Sequence, residues 1–304
     1  MSDNHVPHVK YLYPIRGVKQ FEDDIDTFLR VYKVITLHQL LDNVRGGKPL
    51  AANSFLLTFD DGFREIYDVV APILLRKGVP ATFFLNTAFL DNRGMAHHNK
   101  ISLLLDHFAR LKCEPPYEEI AHILLEHGIA GANIETALLS IDYDNVDAVE
   151  RIATAVNVKF HSYLSTARPY LSSEEVRRLI DSGFTIGAHS IDHPRYSALS
   201  IGEQLYQTEA SVRLLRERFS LTYGAFAFPH GDSGVSQEFF DRMFTQVDVD
   251  VSFGTAGMLQ DVNRGHFQRC SMEYATSSAR QALGHHYARG LYKRLSGHSI
   301  MNHS

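Results

Sequence analysis

Ser54-Phe-Leu-Leu-Thr-Phe59 is a short, nearly continuous apolar run, which predicts a strand covered on both faces. The residues from Phe63 to Lys77 follow with helical periodicity, and Gly78 supplies a helix stop. Pro80-Ala-Thr-Phe-Phe-Leu85 predicts the next strand. Strand, helix and strand in this order form a βαβ unit, so we expect parallel strands joined by a right-handed crossover.

The same alternation returns in the second half of the chain. Ser172 and Glu175 form a capping box that opens a helix ending at Gly183, and Ser200 and Glu203 form a second capping box. The strands predicted there are Phe184–Ala188, Ala225–Phe228 and Val249–Phe253. Repetition of strand and helix predicts an α/β architecture.

Between Asp91 and Ser165 strand signals disappear and helical patterns dominate. The helical patterns are Ile101–Leu111, Tyr117–Glu126 and Val146–Leu164. We interpret this stretch as a helical insertion, a cap or lateral subdomain whose simplest role is packing. A basic helix is predicted from Ser277 to Leu295, its charges forming a solvated face. Residues 1–304 are thus predicted to form one α/β domain with a helical insertion at about 91–165.

Composition restricts the partners and the compartment. The chain has 304 residues and a net charge of -5, which argues against a nucleic-acid partner. Two cysteines, Cys113 and Cys270, are few for so long a chain and favour a reducing compartment. No signal peptide and no membrane span is visible, so we expect a cytoplasmic protein. The sequence leaves the oligomeric state open.

Two adjacent carboxylates follow the first strand in Thr58-Phe-Asp-Asp-Gly62. Two anions at the end of a buried strand are costly unless a positive group or a shared proton accompanies them. Strand alternation points Asp60 and Asp61 in different directions, so the two side chains are expected to do different jobs. The alternative interpretation is an ordinary turn, because Asp-Asp-Gly commonly follows a strand.

Two imidazoles stand four residues apart in His189-Ser-Ile-Asp-His193, again directly after a strand. On one face of a helical turn they would meet at one ion. With one aspartate they form a three-ligand set that leaves a position open for water, the arrangement of catalytic metal sites. Neutral imidazole suits zinc and its neighbours in the first transition row. A chance pair among 17 histidines is the alternative.

The placement of the two motifs favours a metal site. Both follow predicted parallel strands, and α/β folds collect their active sites at the carboxyl ends of such strands. Phe226-Ala-Phe-Pro-His-Gly231 ends a further strand in a tight turn. Backbone N–H groups in such a turn can bind an oxyanion, although Pro-X-Gly is also ordinary turn chemistry.

These segments resemble the polysaccharide deacetylases with a NodB-homology domain, carbohydrate esterase family four. Thr58-Phe-Asp-Asp-Gly62 is similar to the first motif of that family, and His189-Ser-Ile-Asp-His193-Pro194 to the second. Phe226-Ala-Phe-Pro-His-Gly231 resembles the third. The resemblance covers roughly residues 50–90 and 166–275. It implies a distorted, incomplete (β/α) barrel of the NodB-homology type.

The resemblance also implies roles for individual residues. Asp61, His189 and His193 would bind a divalent metal, most simply Zn²⁺, with Co²⁺, Ni²⁺ or Mn²⁺ as alternatives. Asp60 would be the general base, and the backbone N–H of His230, where the family usually has tyrosine, would hold the oxyanion. Pro229 and Gly231 beside it would contact substrate.

The general acid is assigned less directly. The family usually has a late histidine within Leu-X-His, and Leu283-Gly-His285 fits those letters but lies in a predicted helix. We therefore expect His266, just before the strand-like segment 267–272, to be the acid. Its alternative is an exposed loop histidine. Arg269 is expected to orient a catalytic residue.

The predicted function is a metal-dependent hydrolase that removes N-acetyl groups from an amino-sugar substrate, a surface polysaccharide or its precursor. Metal-activated water would attack, with Asp60 as base. Two alternatives stay open: a catalytically degenerate carbohydrate-binding member of the fold, and a hydrolase of a small cyclic amide. The residues suggested for stacking or polar contacts with substrate are Tyr11, Tyr13, Phe89 and His97.

Overall fold

The structure is a computed structural model, and it describes residues 5–111, 115–273, 278–296 and 300–303. Six parallel strands form its main sheet in the order β3-β4-β5-β6-β7-β9. The strands within these described ranges are β1 (Lys33–Val34), β2 (Ser54–Phe55), β3 (Thr58–Phe59), β4 (Thr82–Leu85), β5 (Thr185–Ala188), β6 (Ala225–Ala227), β7 (Val251–Gly254), β8 (Gln260–Asp261), β9 (His266–Gln268) and β10 (Ile300–Met301).

Helices cover this sheet and fill the long connection between β4 and β5. They are α1 (Val18–Val31), α2 (Leu37–Val44), α3 (Ala71–Lys77), α4 (His97–Arg110), α5 (Tyr117–Glu126), α6 (Ile134–Leu139), α7 (Val146–Ala155), α8 (Phe160–Ala167), α9 (Ser173–Asp181), α10 (Ile201–Phe219), α11 (Gln237–Gln246) and α12 (Ala279–Leu295). No helix of the described ranges has the length and apolar character needed to cross a bilayer.

The main sheet is a curled half-barrel, which confirms the predicted α/β fold of the incomplete-barrel type. Both of its faces are covered. Phe83 lies in one core with Ile186 and Phe226, whereas the next residue, Phe84, packs in another core with Ala227 and Phe253. Both phenylalanines are fully buried, as a continuous apolar strand requires.

The first predicted strand differs in one respect. Residues 54–59 divide into β2, which pairs with β1, and β3, which pairs with β4. The apolar run is unbroken in sequence, so it contains no signal for the change of partner. The helix that follows also begins irregularly, as a π-helical turn over Ile66–Val70 before α3.

The helical insertion is confirmed between β4 and β5, where helices α4 to α8 pack around a hydrophobic core of their own. Leu104, Leu138 and Val149, from three of these helices, are fully buried in it. The predicted helix over 146–164 is two helices, because residues between Ala155 and Phe160 form a turn with Asn157 at φ 56°.

Local capping signals were accurate guides to helix ends. The capping boxes at Ser172 and Ser200 both form, and α9 and α10 begin where they predict. Gly78 ends α3 with φ 66°, and Gly183 follows α9 with φ 92°. A third capping box, at Ser278, begins the predicted C-terminal helix. Cys113 lies outside the described residues.

Candidate active site

Three loops meet at the carboxyl edge of the sheet. They follow β3, β5 and β6, and they contain Asp60, His189 and His230 respectively. Strands β5 and β6 are direct neighbours, and β4 separates β3 from β5. Parallel strands end at the same edge, so three segments distant in sequence are brought into one place.

Asp61, His189 and His193 form a three-residue cluster in the centre of this edge. The Oδ1 atom of Asp61 lies 3.2 Å from Nε2 of His193 and 3.6 Å from Nε2 of His189. Both histidine rings are buried, and Asp61 is partly buried. These three ligand atoms are close enough together to hold one metal ion.

The tautomer of His189 fits a metal ligand. Its Nδ1 lies 2.8 Å from the carbonyl oxygen of Ala227, which can only accept, so Nδ1 carries the proton. Burial lowers the pKa of His189, which favours the neutral ring. The lone pair of Nε2 therefore faces the Asp61 carboxylate, and a cation between these atoms would satisfy both.

Asp61 is held as an anion. Burial alone would raise the pKa of Asp61, but the hydrogen bond and the electrostatic attraction of His193 lower it well below its usual range. One carboxylate and two imidazoles form a donor set that suits zinc and related divalent ions.

The route by which His193 reaches the cluster differs from the prediction. Residues 189–193 do not form a helical turn; they form a loop in which Ser190 has φ 68° and His193 has φ 69°. Ser190 Oγ accepts a hydrogen bond from the backbone N–H of His193, and Asn86 donates to the carbonyl of His189. The prediction that His189 and His193 lie on one face of a helical turn was therefore wrong, although the structure does bring the two rings together.

Asp60 points to a different partner from Asp61, as strand alternation predicts. Arg269 binds it in a bidentate pair, with Nη1 at 2.7 Å from Oδ1 and Nη2 at 2.8 Å from Oδ2. Arg269 also donates to the hydroxyl of Thr58 at 3.1 Å. Burial would raise the pKa of Asp60, but the charge and the hydrogen bonds of Arg269 outweigh it and lower the pKa. The structure thus places Arg269 directly on the predicted base.

The loop after β6 has the strained backbone that a tight turn requires. His230 and Gly231 have φ of 57° and 101°, and Pro229 before them is buried. A side chain at position 231 would lie 2.4 Å from Thr255 Oγ1, so only glycine fits there. Burial and neighbouring His193 lower the pKa of His230 to about 3.

The backbone N–H of His230 is available. It makes no hydrogen bond to any residue within the described ranges. The His230 ring packs edge-on against His193 with a centroid distance of 4.5 Å, so this turn borders the metal-type cluster. Left-handed backbone at Asp61, Ser190, His193 and His230 concentrates conformational strain at the site.

His266 does not join this site, and its expected role as general acid is not supported. It lies on β9 with a fully enclosed side chain, so the alternative of an exposed loop histidine is wrong as well. Nδ1 lies 2.7 Å from Ser252 Oγ, and Nε2 lies 3.1 Å from Asp232 Oδ2. A ring with both nitrogens engaged in a closed cluster has no route to substrate. Leu283-Gly-His285 lies within α12.

Sequence reasoning missed His98, which the insertion contributes from the first turn of α4. Its ring lies 4.8 Å from the His193 ring and 6.0 Å from the His230 ring, measured between centroids. Its Nδ1 is buried and has no partner among the described residues. Burial, with a contribution from His193, lowers the pKa of His98 well below its usual value.

The other residues suggested for contacts with substrate lie in different surroundings. Burial raises the pKa of Tyr13 well above its usual value, and the charge of Asp61 adds to the shift. Phe89 is buried in the core of the insertion, and Tyr11 packs against that core. His97 packs against His98 with 5.2 Å between ring centroids.

Fold and site together define an α/β half-barrel protein with a carboxylate–histidine centre at the carboxyl edge of its sheet. Residues 47–241 match the family model described as polysaccharide deacetylase. The match covers more than half of the chain, so the protein belongs to the polysaccharide deacetylase family, a family of deacetylase enzymes.

Solved structures of deacetylases share the fold. The structure of the deacetylase PplD from Streptococcus pyogenes, in complex with acetate, superposes with a TM-score of 0.55 at 14% identity, covering 93% of this chain and 92% of that one. IcaB from Ammonifex degensii superposes with a TM-score of 0.53 at 16% identity, covering 89% of each chain. At this identity the comparison establishes the fold alone.

A sequence relative covers a shorter segment. The poly-beta-1,6-N-acetyl-D-glucosamine N-deacetylase of Escherichia coli strain K12 is 40% identical over 52 residues, which are 17% of this chain and 8% of that protein. The chain therefore matches only a small part of that relative.

Proposed function

We propose that this protein removes N-acetyl groups from an amino-sugar residue of a polysaccharide or its precursor, with a divalent metal at Asp61, His189 and His193. The observation that carries the proposal is the bidentate Arg269–Asp60 pair beside that three-ligand set. Because Arg269 holds Asp60, Asp61 is the carboxylate available to a metal ion and Asp60 is the one available to accept a proton.

Each residue has a defined task in this hydrolysis. Bound at the three-ligand set, a divalent ion supplies Lewis-acid chemistry that makes water nucleophilic near neutral pH. Asp60, kept ionised by the charge of Arg269, accepts the proton of the attacking water. The backbone N–H of His230 donates to the oxygen that becomes negative as the acetamide carbonyl is attacked.

The leaving amine needs a proton, because an amide nitrogen does not depart as an anion. Asp60 passes the proton that it accepts from water to the leaving amine. The water and the acetamide are thereby converted into acetate and amine with no other proton donor. His98 lies next to His193 and His230, with ring centroids 4.8 and 6.0 Å away. We assign it the task of orienting the leaving nitrogen by a hydrogen bond.

The substrate class follows from two supports. The Escherichia coli relative over 52 residues carries a name that specifies an N-acetylglucosamine polymer. The family assignment indicates acetylated polysaccharide. We therefore propose an N-acetylglucosamine-containing chain, and we propose zinc as the metal because two imidazoles and one carboxylate suit it.

Acetate release tests the function directly. Protein stripped of metal and reloaded with zinc, cobalt or nickel would be assayed on N-acetylglucosamine oligosaccharides, N-acetylated sugar nucleotides and a small cyclic amide. We expect metal-dependent release from the oligosaccharides, lost by at least about a hundredfold in Asp60→Asn with metal content unchanged. Asp61→Asn should lose both metal and activity, and the exposed Asp23→Asn should lose neither.

Other outcomes would redirect the proposal. Full activity in Asp60→Asn would refute the assignment of the base. Tight metal binding with no acetate from any substrate, together with oligosaccharide binding, would indicate a carbohydrate-binding protein without catalysis. Turnover of the cyclic amide alone would indicate a different substrate class.

A further inference from the structure

A second group of metal-ligating side chains lies apart from the site just described. We call it the C-terminal cluster, and it consists of Asp232, Asp261, His266 and His303. These residues come from four segments: the loop after β6, strand β8, strand β9 and the residues after β10. All four side chains are enclosed, with exposures of 2%, 0%, 0% and 1% respectively.

The ligand atoms of the cluster converge. Nε2 of His266 lies 3.1 Å from Oδ2 of Asp232 and 4.0 Å from Oδ2 of Asp261. Nε2 of His303 lies 3.0 Å from the same Asp261 oxygen. A tetrahedral zinc ion with bonds of about 2.0–2.1 Å separates its ligand atoms by about 3.3 Å. Two of the separations in the C-terminal cluster are close to this value, and all of its ligand atoms lie within 4.8 Å of one another, as they also do in the Asp61 cluster.

The outer atoms of the same side chains are held by the protein. Oδ1 of Asp232 accepts a hydrogen bond from the backbone N–H of Thr255, and Oδ1 of Asp261 accepts one from the backbone N–H of Asn263. Each carboxylate thus directs its other oxygen, Oδ2, inward. Contacts that orient ligands from outside in this way are a regular feature of metal sites.

The two histidine rings are also fixed in place. Nδ1 of His266 is bonded to Ser252 Oγ at 2.7 Å, which leaves Nε2 for the interior of the cluster. The rings of His266 and His303 both pack against the Phe240 ring, with centroid distances of 4.8 Å and 4.1 Å respectively. Packing of this kind holds ligands in place before an ion binds.

The charge of the cluster calls for a cation. Two carboxylates are enclosed, and no lysine or arginine of the described ranges forms an ion pair with either of them. The amide of Gln268 donates toward both, at 2.6 Å from Asp232 Oδ2 and 3.1 Å from Asp261 Oδ2, but it carries no net charge. The imidazoles of His266 and His303 are the charge partners of these two enclosed carboxylates within the cluster. A divalent ion would neutralise the carboxylates while the imidazoles bind it in their neutral form.

We propose that the C-terminal cluster binds one zinc ion through Asp232, Asp261, His266 and His303. Four protein ligands with no exposed position form a closed site, the arrangement of structural zinc rather than catalytic zinc. Its task is to fasten β8 and the segment that contains β10 and His303 to the edge strand β9 of the main sheet. The cluster shares no ligand with the proposed deacetylase centre.

Metal counting on the full-length protein tests this inference. Zinc per chain would be measured by elemental mass spectrometry after gel filtration, for the wild type, Asp61→Asn, His303→Gln and His303→Cys. We expect two zinc ions per chain in the wild type and one in each of Asp61→Asn and His303→Gln. His303→Cys should keep two zinc ions, because a thiolate is a zinc ligand. A thiolate would not take the place of His303 in a metal-free hydrogen-bond network, so this variant distinguishes the two cases.

X-ray absorption at the zinc edge of Asp61→Asn provides a second test that does not depend on any variant of the cluster. We expect four nitrogen or oxygen ligands including two imidazoles, and no sulfur. One zinc ion in the wild type, lost in Asp61→Asn and kept in His303→Gln, would overturn the proposal and leave a metal-free network around Gln268. One zinc ion kept in Asp61→Asn but lost in His303→Gln would support the proposal while refuting the metal centre of the proposed function.

Discussion

The guanidinium of Arg269 and the carboxylate of Asp60 form two parallel hydrogen bonds of 2.7 and 2.8 Å, across 209 positions of sequence. The pair gives Asp60 a permanent positive partner and leaves the neighbouring Asp61 to His189 and His193. Two adjacent residues therefore acquire different roles because their side chains face different partners. The planar fork of arginine is suited to this contact, and the point charge of lysine is not.

Replacing Arg269 tests how far the base depends on this pair. Arg269→Gln removes the charge that keeps Asp60 ionised and in place, so kcat for acetate release should fall by at least about tenfold. The kcat of Arg269→Lys should lie between those of the wild type and Arg269→Gln, because lysine keeps the positive charge but lacks the planar fork that binds both carboxylate oxygens. Kinetics at fixed zinc, with zinc content measured in parallel, would check this. Arg213→Gln, on the exposed face of α10, is the matched control, and wild-type kcat in Arg269→Gln would contradict the assignment.

His98 is expected to affect the departure of the amine more than the attack of water. In His98→Phe, release of acetate from an N-acetylated oligosaccharide should fall by about tenfold or more. Release from an aryl acetate should change much less, since a phenolate leaving group has no nitrogen for His98 to orient. The ratio of the two kcat values is the measurement, with the exposed His122→Phe as control. An equal loss on both substrates would show that His98 does not act on the leaving group.

Much of the fold could be predicted because its signals are local. Capping boxes at Ser172 and Ser200, the glycine stops and the apolar strand runs all depend on residues a few positions apart. The change of strand partner within residues 54–59 could not be predicted, because it depends on β1, which is remote in sequence and only two residues long. Periodicity reports which residues are buried, not which strand lies beside them.

The site was predictable where a motif is contiguous and unpredictable where packing decides. Asp61, His189 and His193 follow strands directly, so their meeting could be inferred from parallel topology. His98 reaches the site only because the insertion folds back over the sheet edge, and no spacing rule relates it to His193. His266 was wrongly predicted as a site residue because the sequence shows that it lies beside a strand. The sequence does not show that its side chain is enclosed with Asp232.

The turn at His230 predicts that acetate release depends on the backbone N–H of this residue and not on its imidazole ring. Asparagine tolerates the left-handed backbone, so His230→Asn should keep acetate release within a few fold of the wild type. Gly231→Ala should be worse, because its new methyl group would lie 2.4 Å from Thr255 Oγ1 at a residue with φ 101°. We expect that variant to lose at least about tenfold in kcat as the His230 N–H is displaced. Comparison of kcat and zinc content for the two variants is decisive, and a loss in His230→Asn equal to that in Gly231→Ala would assign the role to the ring instead.

Asp91 ties the start of the insertion to the second half of the barrel. Its carboxylate accepts hydrogen bonds from the backbone N–H of Ser173 at 2.6 Å and from Arg218 at 2.7 Å. Burial would raise the pKa of Asp91, but these groups and the Ser173 hydroxyl lower it. A folded-state pKa below the unfolded value of about 3.9 means that the stabilisation is complete above that pH and is lost as the pH falls through the folded pKa.

Asp91→Asn isolates the charge, because asparagine keeps the left-handed backbone of φ 62° and one acceptor oxygen. At pH 7 we expect the free energy of unfolding to fall by about 1 kcal/mol relative to the wild type. The difference should shrink on acidification, since the wild-type carboxyl then also loses its charge. Urea unfolding from pH 7 down to the lowest pH at which both proteins stay folded would measure it, with the exposed Asp144→Asn as control. A difference that stays constant over this pH range would show that the contact with Ser173 and Arg218 does not depend on the charge of Asp91.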